Sequence, residues 1–236
     1  REKCPWDHKQ TNESLRPNTI EEVYELCDAL ERNDSKEERK ELGDVLLHIC
    51  FYAKIAQEKG LFDIADVCTA LTDKLIYRHP HIYGHVKVDS AEAVADNWEK
   101  LKEHEKDGNK TILSGVPNSL PSLIKAFRIQ EKAAHVGFDW KNKEDVWDKV
   151  REELSEYEEA LKKGTDKDCE GEFGDLLFSL VNAARLYGIN PDNALERTNR
   201  KFISRFNHIE KGAKDSGRHV SELTIDEMDK LWNEAK

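Results

Sequence analysis

No stretch of this chain approaches the roughly 18 consecutive apolar residues that a membrane-spanning helix needs. No signal sequence stands at its start either; the chain opens Arg1-Glu2-Lys3-Cys4 without a methionine, as though a native leading segment were missing. Basic residues are the minority, 37 Lys and Arg against 48 Asp and Glu, for a formal charge of −11. Binders of nucleic-acid polymers usually show a basic face, so that class is disfavoured. The five cysteines (Cys4, Cys27, Cys50, Cys68, Cys169) form no C-x-x-C pair. Several lie among apolar helical residues, where a free thiol acts as a small hydrophobe, and a reduced, cytoplasmic setting follows. Strand signals are nearly absent. The hydrophobic fraction is only 38%, but the apolar residues are strongly periodic, which argues against disorder.

What the chain does have is a repeat. Glu22-Val23-Tyr24-Glu25 and Glu41-Leu42-Gly43-Asp44 recur as Glu153-Leu154-Ser155-Glu156 and Glu172-Phe173-Gly174-Asp175, all at a shift of 131. The same register carries Ala29-Leu30 onto Ala160-Leu161, Leu46 onto Leu177 and Ala53-Lys54 onto Ala184-Arg185. Lys74 and Arg78 match Lys201 and Arg205 at a shift of 127, the slip falling near Gly60 and Gly188. A chain of 236 residues holding such a repeat reads as two domains of about 100 residues each.

Helix signals are frequent. Thr19 with Glu22 and Ser35 with Glu38 form capping boxes, opening helices to about Arg32 and Lys59. Asp63 and Asp89 are N-caps for helices over 64–78 and 90–106; Asn142 caps 143–163 and Thr165 caps 166–187. Asn190-Pro191 opens a helix to about Gly212, and Thr224 with Glu227 opens the last. Residues 79–88 read as a loop. Gly108, Gly115, Pro117 and Pro121 mark a linker over 106–121, between domains spanning 1–105 and 122–236. The expected fold is all-α, a tandem repeat of two bundles of four or five helices.

Residues three apart share a helix face, so Glu153 projects with Glu156 and Glu172 with Asp175. Phe173, Leu176, Leu177 and Leu180 form a stripe expected to face the core beside them. If the two helices pack antiparallel, four carboxylates converge. At about 5–6 Å in a cleft each pair repels by roughly 3 kcal/mol at an effective dielectric near 20, and some pKa values would rise. A divalent cation relieves this, and an all-oxygen set suits Mg²⁺, with Mn²⁺ an alternative, rather than Zn²⁺. One E-x-x-E in a chain that is 36% charged would read as a solvated face; two motifs repeated without a gap do not. Glu22, Glu25, Glu41 and Asp44 are the corresponding set in the first half. Gly43 and Gly174, mid-helix residues costing about 1 kcal/mol relative to Ala, point to close helix approach or ligand access. A di-iron bundle would need Glu-x-x-His, and no Glu here has a His three residues on.

Lys201 and Arg205 lie one turn apart, placed to hold phosphate oxygens, and Lys74 and Arg78 repeat them. His79, His81 and His85 read more readily as structural than as ligands, and Trp6, Trp140 and Trp232 as packing residues before base-stacking ones.

E-x-x-E followed by E-x-x-D in a tandem all-α chain resembles the MazG-type nucleoside triphosphate pyrophosphohydrolases. The likeness covers essentially the whole chain and includes Cys4-Pro5-Trp6-Asp7, Arg78-His79-Pro80-His81, Val136-Gly137-Phe138-Asp139-Trp140 and Gly174-Asp175-Leu176-Leu177-Phe178. The resemblance implies Mg²⁺-dependent hydrolysis of NTPs and dNTPs to the monophosphate and pyrophosphate by an α-helical homodimer. It implies that Glu153, Glu156, Glu172 and Asp175 hold the metal with Glu152 beside them, that Lys201 and Arg205 meet the triphosphate, and that Trp232 lies near the nucleotide. Gly171 departs from the pattern, since related sequences often carry an acid there. Glu153, Glu172 and Glu152 are the candidate catalytic residues, and spacing does not rank Glu153 against Glu172 as general base. The alternative is a helical dimer that senses a nucleotide or binds a protein without turnover.

The halves differ two turns past the second acid, where Asn182 faces Phe51 across the shift of 131. Asn offers a donor and an acceptor to a sugar or base edge, whereas Phe only packs. The second half is therefore expected to carry the chemistry.

Overall fold

The computed structural model describes residues 1–90, 93–94, 97–98, 101 and 111–236. Its described elements are helices, and no strand occurs among the described residues. They fall into two compact units, Arg1–Lys102 and Glu103–Lys236.

The first unit holds α1 (Pro5–Lys9), α2 (Asn12–Arg32), α3 (Ser35–Glu58), α4 (Ile64–Arg78) and α5 (Pro80–Tyr83). Helix α2 starts seven residues before the expected Thr19, because Thr11 and Ser14 exchange side-chain and backbone bonds in a capping box. It runs through Pro17, although proline lacks the donor an interior turn needs. Thr19 is not a cap. Its Oγ1 reaches Leu15 O (3.0 Å), His48 Nδ1 (3.0 Å) and Tyr52 Oη (2.6 Å), a polar link between α2 and α3 at which His48 is buried. The cap of α3 is Asp34 rather than Ser35, its carboxylate accepting from the Lys36 and Glu37 amides. The α2–α3 hairpin turns through Asn33 at φ 53°, a left-handed conformation that Asn tolerates better than most residues. Asp63 caps α4 as expected. The segment 79–88, expected as a loop, contains the one-turn α5. The expected helix over 90–106 lies largely outside the described residues.

The second unit holds α6 (Ser122–His135), α7 (Val146–Lys163), α8 (Asp166–Leu186), α9 (Pro191–Asp215) and α10 (Ile225–Glu234). Of the expected linker, residues 106–110 lie outside the description, and Ile112–Gly115 form a 3₁₀ turn. Helix α6 carries no sequence start signal; Pro121 precedes it with no side-chain cap. Asn142 does not cap α7. Its amide donates to Asp145 instead (3.1 Å), and Lys143–Asp145 form a 3₁₀ turn before the helix. Thr165, Asn190 and Thr224 cap α8, α9 and α10 as read from sequence.

Helices α7 and α8 pack as a hairpin around Val146, Val150 and Ala183, with Leu176 and Leu186 against them. A second cluster joins α9 to α10 through Ile209, Ala213 and Leu223, flanked by Met228, Leu231 and Trp232. Gly212 makes that contact possible, since a Cβ there would lie 2.7 Å from a Leu231 methyl. The stripe expected to face the core is split. Leu176 packs inside, but Phe173, Leu177 and Leu180 are 46%, 46% and 41% exposed. Gly43 and Gly174 do not mark close approach within the chain either, because a Cβ at each would meet open space.

Candidate functional site

The α7–α8 hairpin brings Glu153, Glu156 and Glu172 together, one carboxylate oxygen of each lying within 4.8 Å of the others. Glu153 is buried and Glu172 half-buried, while Glu156 is exposed. In the first unit the α2–α3 hairpin does the same with Glu22, Glu41 and Asp44. The fourth acid of each set, Asp175 or Glu25, stands outside its trio. Each half therefore assembles three of its four repeated acids, but not the same three.

Electrostatics show the strain of these clusters. Burial and the neighbouring Glu153 and Glu172 push the Glu156 carboxyl above its usual range. Glu25 is pushed up first by Glu41, then by burial and Glu22. A lysine answers each buried acid. Lys149 Nζ lies 2.6 Å from Glu153 and 3.2 Å from Glu152, and Lys40 Nζ lies 2.7 Å from Glu41. Both lysines are held more firmly protonated as a result, through hydrogen bonds to those carboxylates. The other oxygen of Glu41 is buried with no partner. Three hard oxygen donors within reach of one another, and an orphaned carboxylate oxygen, fit an oxygen-seeking divalent cation.

Beside the second trio lies a cavity of about 640 Å³. Lys149, Glu153 and Asp175 reach it with acid and ammonium groups; Phe138, Trp140 and Phe178 supply apolar and aromatic wall. Asn182, named from sequence, is in that wall. Gln130, Asp139, Lys149 and Arg185 also line it and were missed as site residues. Asp139 stands in a noted motif and Arg185 in the repeat register, but nothing in the sequence signalled Gln130. The first unit's hollow beside its trio, about 630 Å³, is lined mainly by charged residues, among them Glu25, Lys40 and Glu41. At the Asn182 position Phe51 meets the Trp6 ring edge-on, with centroids 6.5 Å apart.

Other sequence-named residues are placed elsewhere. Lys201 and Arg205 lie on α9 and Trp232 on α10, and none lines the cavity. Arg205 instead sits over the Trp232 ring at 5.2 Å, and Phe202 packs against that ring at 5.1 Å. Lys74 and Arg78 lie on α4, Arg78 over Trp98 at 5.8 Å. Glu152 is exposed and pairs with Lys149.

Two helical units, each with a carboxylate trio on a helix hairpin, define a tandem all-α protein with acid-lined sites. The family model of the MazG nucleotide pyrophosphohydrolase domain matches twice, over residues 10–83 and 141–210. The chain belongs to this family of hydrolases. It is 45% identical to the nucleoside triphosphate pyrophosphohydrolase/pyrophosphatase MazG of Thermotoga maritima, over all of this chain and 90% of that protein. It is 40% identical to the nucleoside triphosphate pyrophosphohydrolase of Escherichia coli K12, over 99% of this chain and 90% of that protein. An uncharacterized Bacillus subtilis protein, YabN, is 45% identical over 99% of this chain and 48% of its own length. Among the described residues no helix is long and apolar enough to cross a membrane.

Proposed function

We propose that the chain hydrolyses nucleoside triphosphates and deoxynucleoside triphosphates to the monophosphate and pyrophosphate, and that the second unit does so. The observation that carries this reading is the adjacency of the Glu153–Glu156–Glu172 trio to a cavity with aromatic walls. Acids suit the metal-bound triphosphate end, and Phe138, Trp140 and Phe178 suit a base. Family membership and the printed activity of the two relatives support it.

Glu153, Glu156 and Glu172 would hold Mg²⁺ or Mn²⁺, with Asp175 one turn along α8. Such an ion polarises the phosphate and lowers the pKa of water. Glu172, which has no cation against it among the described residues, is the general base of this reading. It takes the proton of the attacking water as the water oxygen bonds to the α-phosphorus and the bridging bond to the β-phosphate breaks, releasing pyrophosphate. Lys149, which lines the cavity beside Glu153, is placed to meet the triphosphate. Lys201 and Arg205 remain the candidate triphosphate contacts on α9, although neither lines the cavity.

A second copy of the chain is the partner that fits the exposed apolar stripes. Leu42, Leu46 and Ile49 on α3 occupy the register of Phe173, Leu177 and Leu180 on α8, and all six are 41–56% exposed. Gly43 and Gly174 open on the same faces, so the homodimer would supply the close approach that the chain alone lacks. The first unit keeps a cation-competent trio but has Phe51 for Asn182, which favours a role in assembly or regulation.

Incubation with each NTP and Mg²⁺, followed by identification of products, tests the reading. Pyrophosphate and the monophosphate are expected, and orthophosphate release would overturn it.

A further inference from the structure

Two amides line the second unit's cavity, and each has its orientation imposed by a partner that can hydrogen-bond in only one sense. Asn182 Oδ1 accepts from Arg185 Nε at 3.0 Å and from Arg185 Nη2 at 2.9 Å. A guanidinium only donates, so the amide must turn its oxygen to Arg185 and its Nδ2 away. Arg185 is itself fixed: Nη1 donates to Asp139 Oδ2 at 3.0 Å and Nη2 to Oδ1 at 2.5 Å. The Trp140 amide donates to the same carboxylate (2.9 Å). Burial opposes the charge on Asp139, yet these donors hold its carboxyl below the ordinary value. The second amide, Gln130, spends its Nε2 on the Phe178 carbonyl at 2.8 Å, and its Oε1 is buried without a partner. A buried acceptor left unmet is costly, a second sign that this wall is shaped for a ligand with polar groups of its own.

The first unit has none of this lock. Phe51 stands in place of Asn182, and Lys54, in place of Arg185, bonds Gln57 on its own helix at 2.9 Å.

Building on the pyrophosphohydrolase reading, we propose that Asp139 and Arg185 are positioning residues that hold the Asn182 amide in one orientation, so that its Nδ2 donates to an acceptor on the edge of the nucleobase. Asn182 lies seven residues beyond Asp175, about 10 Å along the helix, which separates base from phosphates by the width of a sugar. Adenine, guanine, cytosine and uracil all carry a ring-nitrogen or carbonyl acceptor on an edge. The device therefore reads an acceptor common to all bases, and substrate use is broad.

Hydrolysis of ATP, UTP and the 1-, 3- and 7-deaza analogues of ATP tests this, because each deaza analogue replaces one ring acceptor by C–H at nearly constant shape. ATP and UTP should both turn over, and kcat/KM should fall about 10- to 100-fold for one analogue, as expected when a buried donor loses its acceptor. Asn182→Asp keeps the Arg185 pairing and the side-chain shape while removing the donor. It should lower kcat/KM on ATP by a similar factor and abolish discrimination against that analogue. Arg185→Met frees the amide to rotate and should shrink the discrimination between ATP and that analogue. Equal turnover of all three analogues, discrimination unchanged by Asn182→Asp, or turnover of UTP without ATP would overturn the proposal while leaving the hydrolase reading intact. Absence of pyrophosphate from every triphosphate would overturn both.

Discussion

Lys149 and Glu153 stand one turn apart on α7, the lysine ammonium 2.6 Å from the most buried carboxylate of its trio. The cation offsets charge that burial would otherwise leave uncompensated. Lys149→Met should lower the melting temperature of the metal-free protein by about 2–4 °C, since a partly solvated pair is worth at most about 1 kcal/mol. Saturating Mg²⁺ should erase the difference. Thermal melts in EDTA and in Mg²⁺ measure it, and an equal deficit in both would show that the lysine does not stand in for a metal.

Glu41 is buried with one oxygen on Lys40 and the other without a partner, and it pushes the Glu25 carboxyl upward. Glu41→Gln removes that repulsion while keeping the shape. The metal-free variant should melt above the parent protein and bind fewer Mg²⁺ per chain by titration calorimetry. A lower melting temperature with undiminished metal stoichiometry would contradict it.

Glu172→Ala should abolish pyrophosphate release, with kcat reduced by 100-fold or more, on the order of the loss of a general base. Glu41→Ala, its repeat counterpart, should leave most of the activity. Comparable losses from the two, at equal helical content by circular dichroism, would show the halves to be functionally alike.

The capping of α10 carries a pH signature. The Thr224 amide and the Arg218 guanidinium hold the Glu227 carboxyl below its usual value. The stability this contributes is complete above the unfolded carboxyl value, about 4.3, and is lost as pH falls through the lower folded one. Glu227→Gln should melt below the parent protein by a constant margin between pH 6 and 8. The margin should narrow as pH falls below about 4.3, and one independent of pH would assign the cap to packing.

Much of this was legible in local pattern. Thr165, Asn190 and Thr224 announce their helices because a cap depends on residues within one turn. Thr19 misled because its spacing to Glu22 imitates a capping box, while the bonds it makes, to His48 and Tyr52, cross to another helix. Helix α6 has no such announcement, as no side chain caps it.

The sequence by itself determined the all-α class, the duplication and the pairing of acids on neighbouring helices, because a periodicity of 3.6 and a repeat register are properties of the chain alone. It could not determine which three acids of each four converge, or that Phe173, Leu177 and Leu180 are left exposed beside a buried Leu176. Nor could it show that Gln130 and Asp139 meet Phe178 and Arg185, 48 and 46 residues away. Those are contacts between helix faces, set by how the helices pack, and only the tertiary structure decided them.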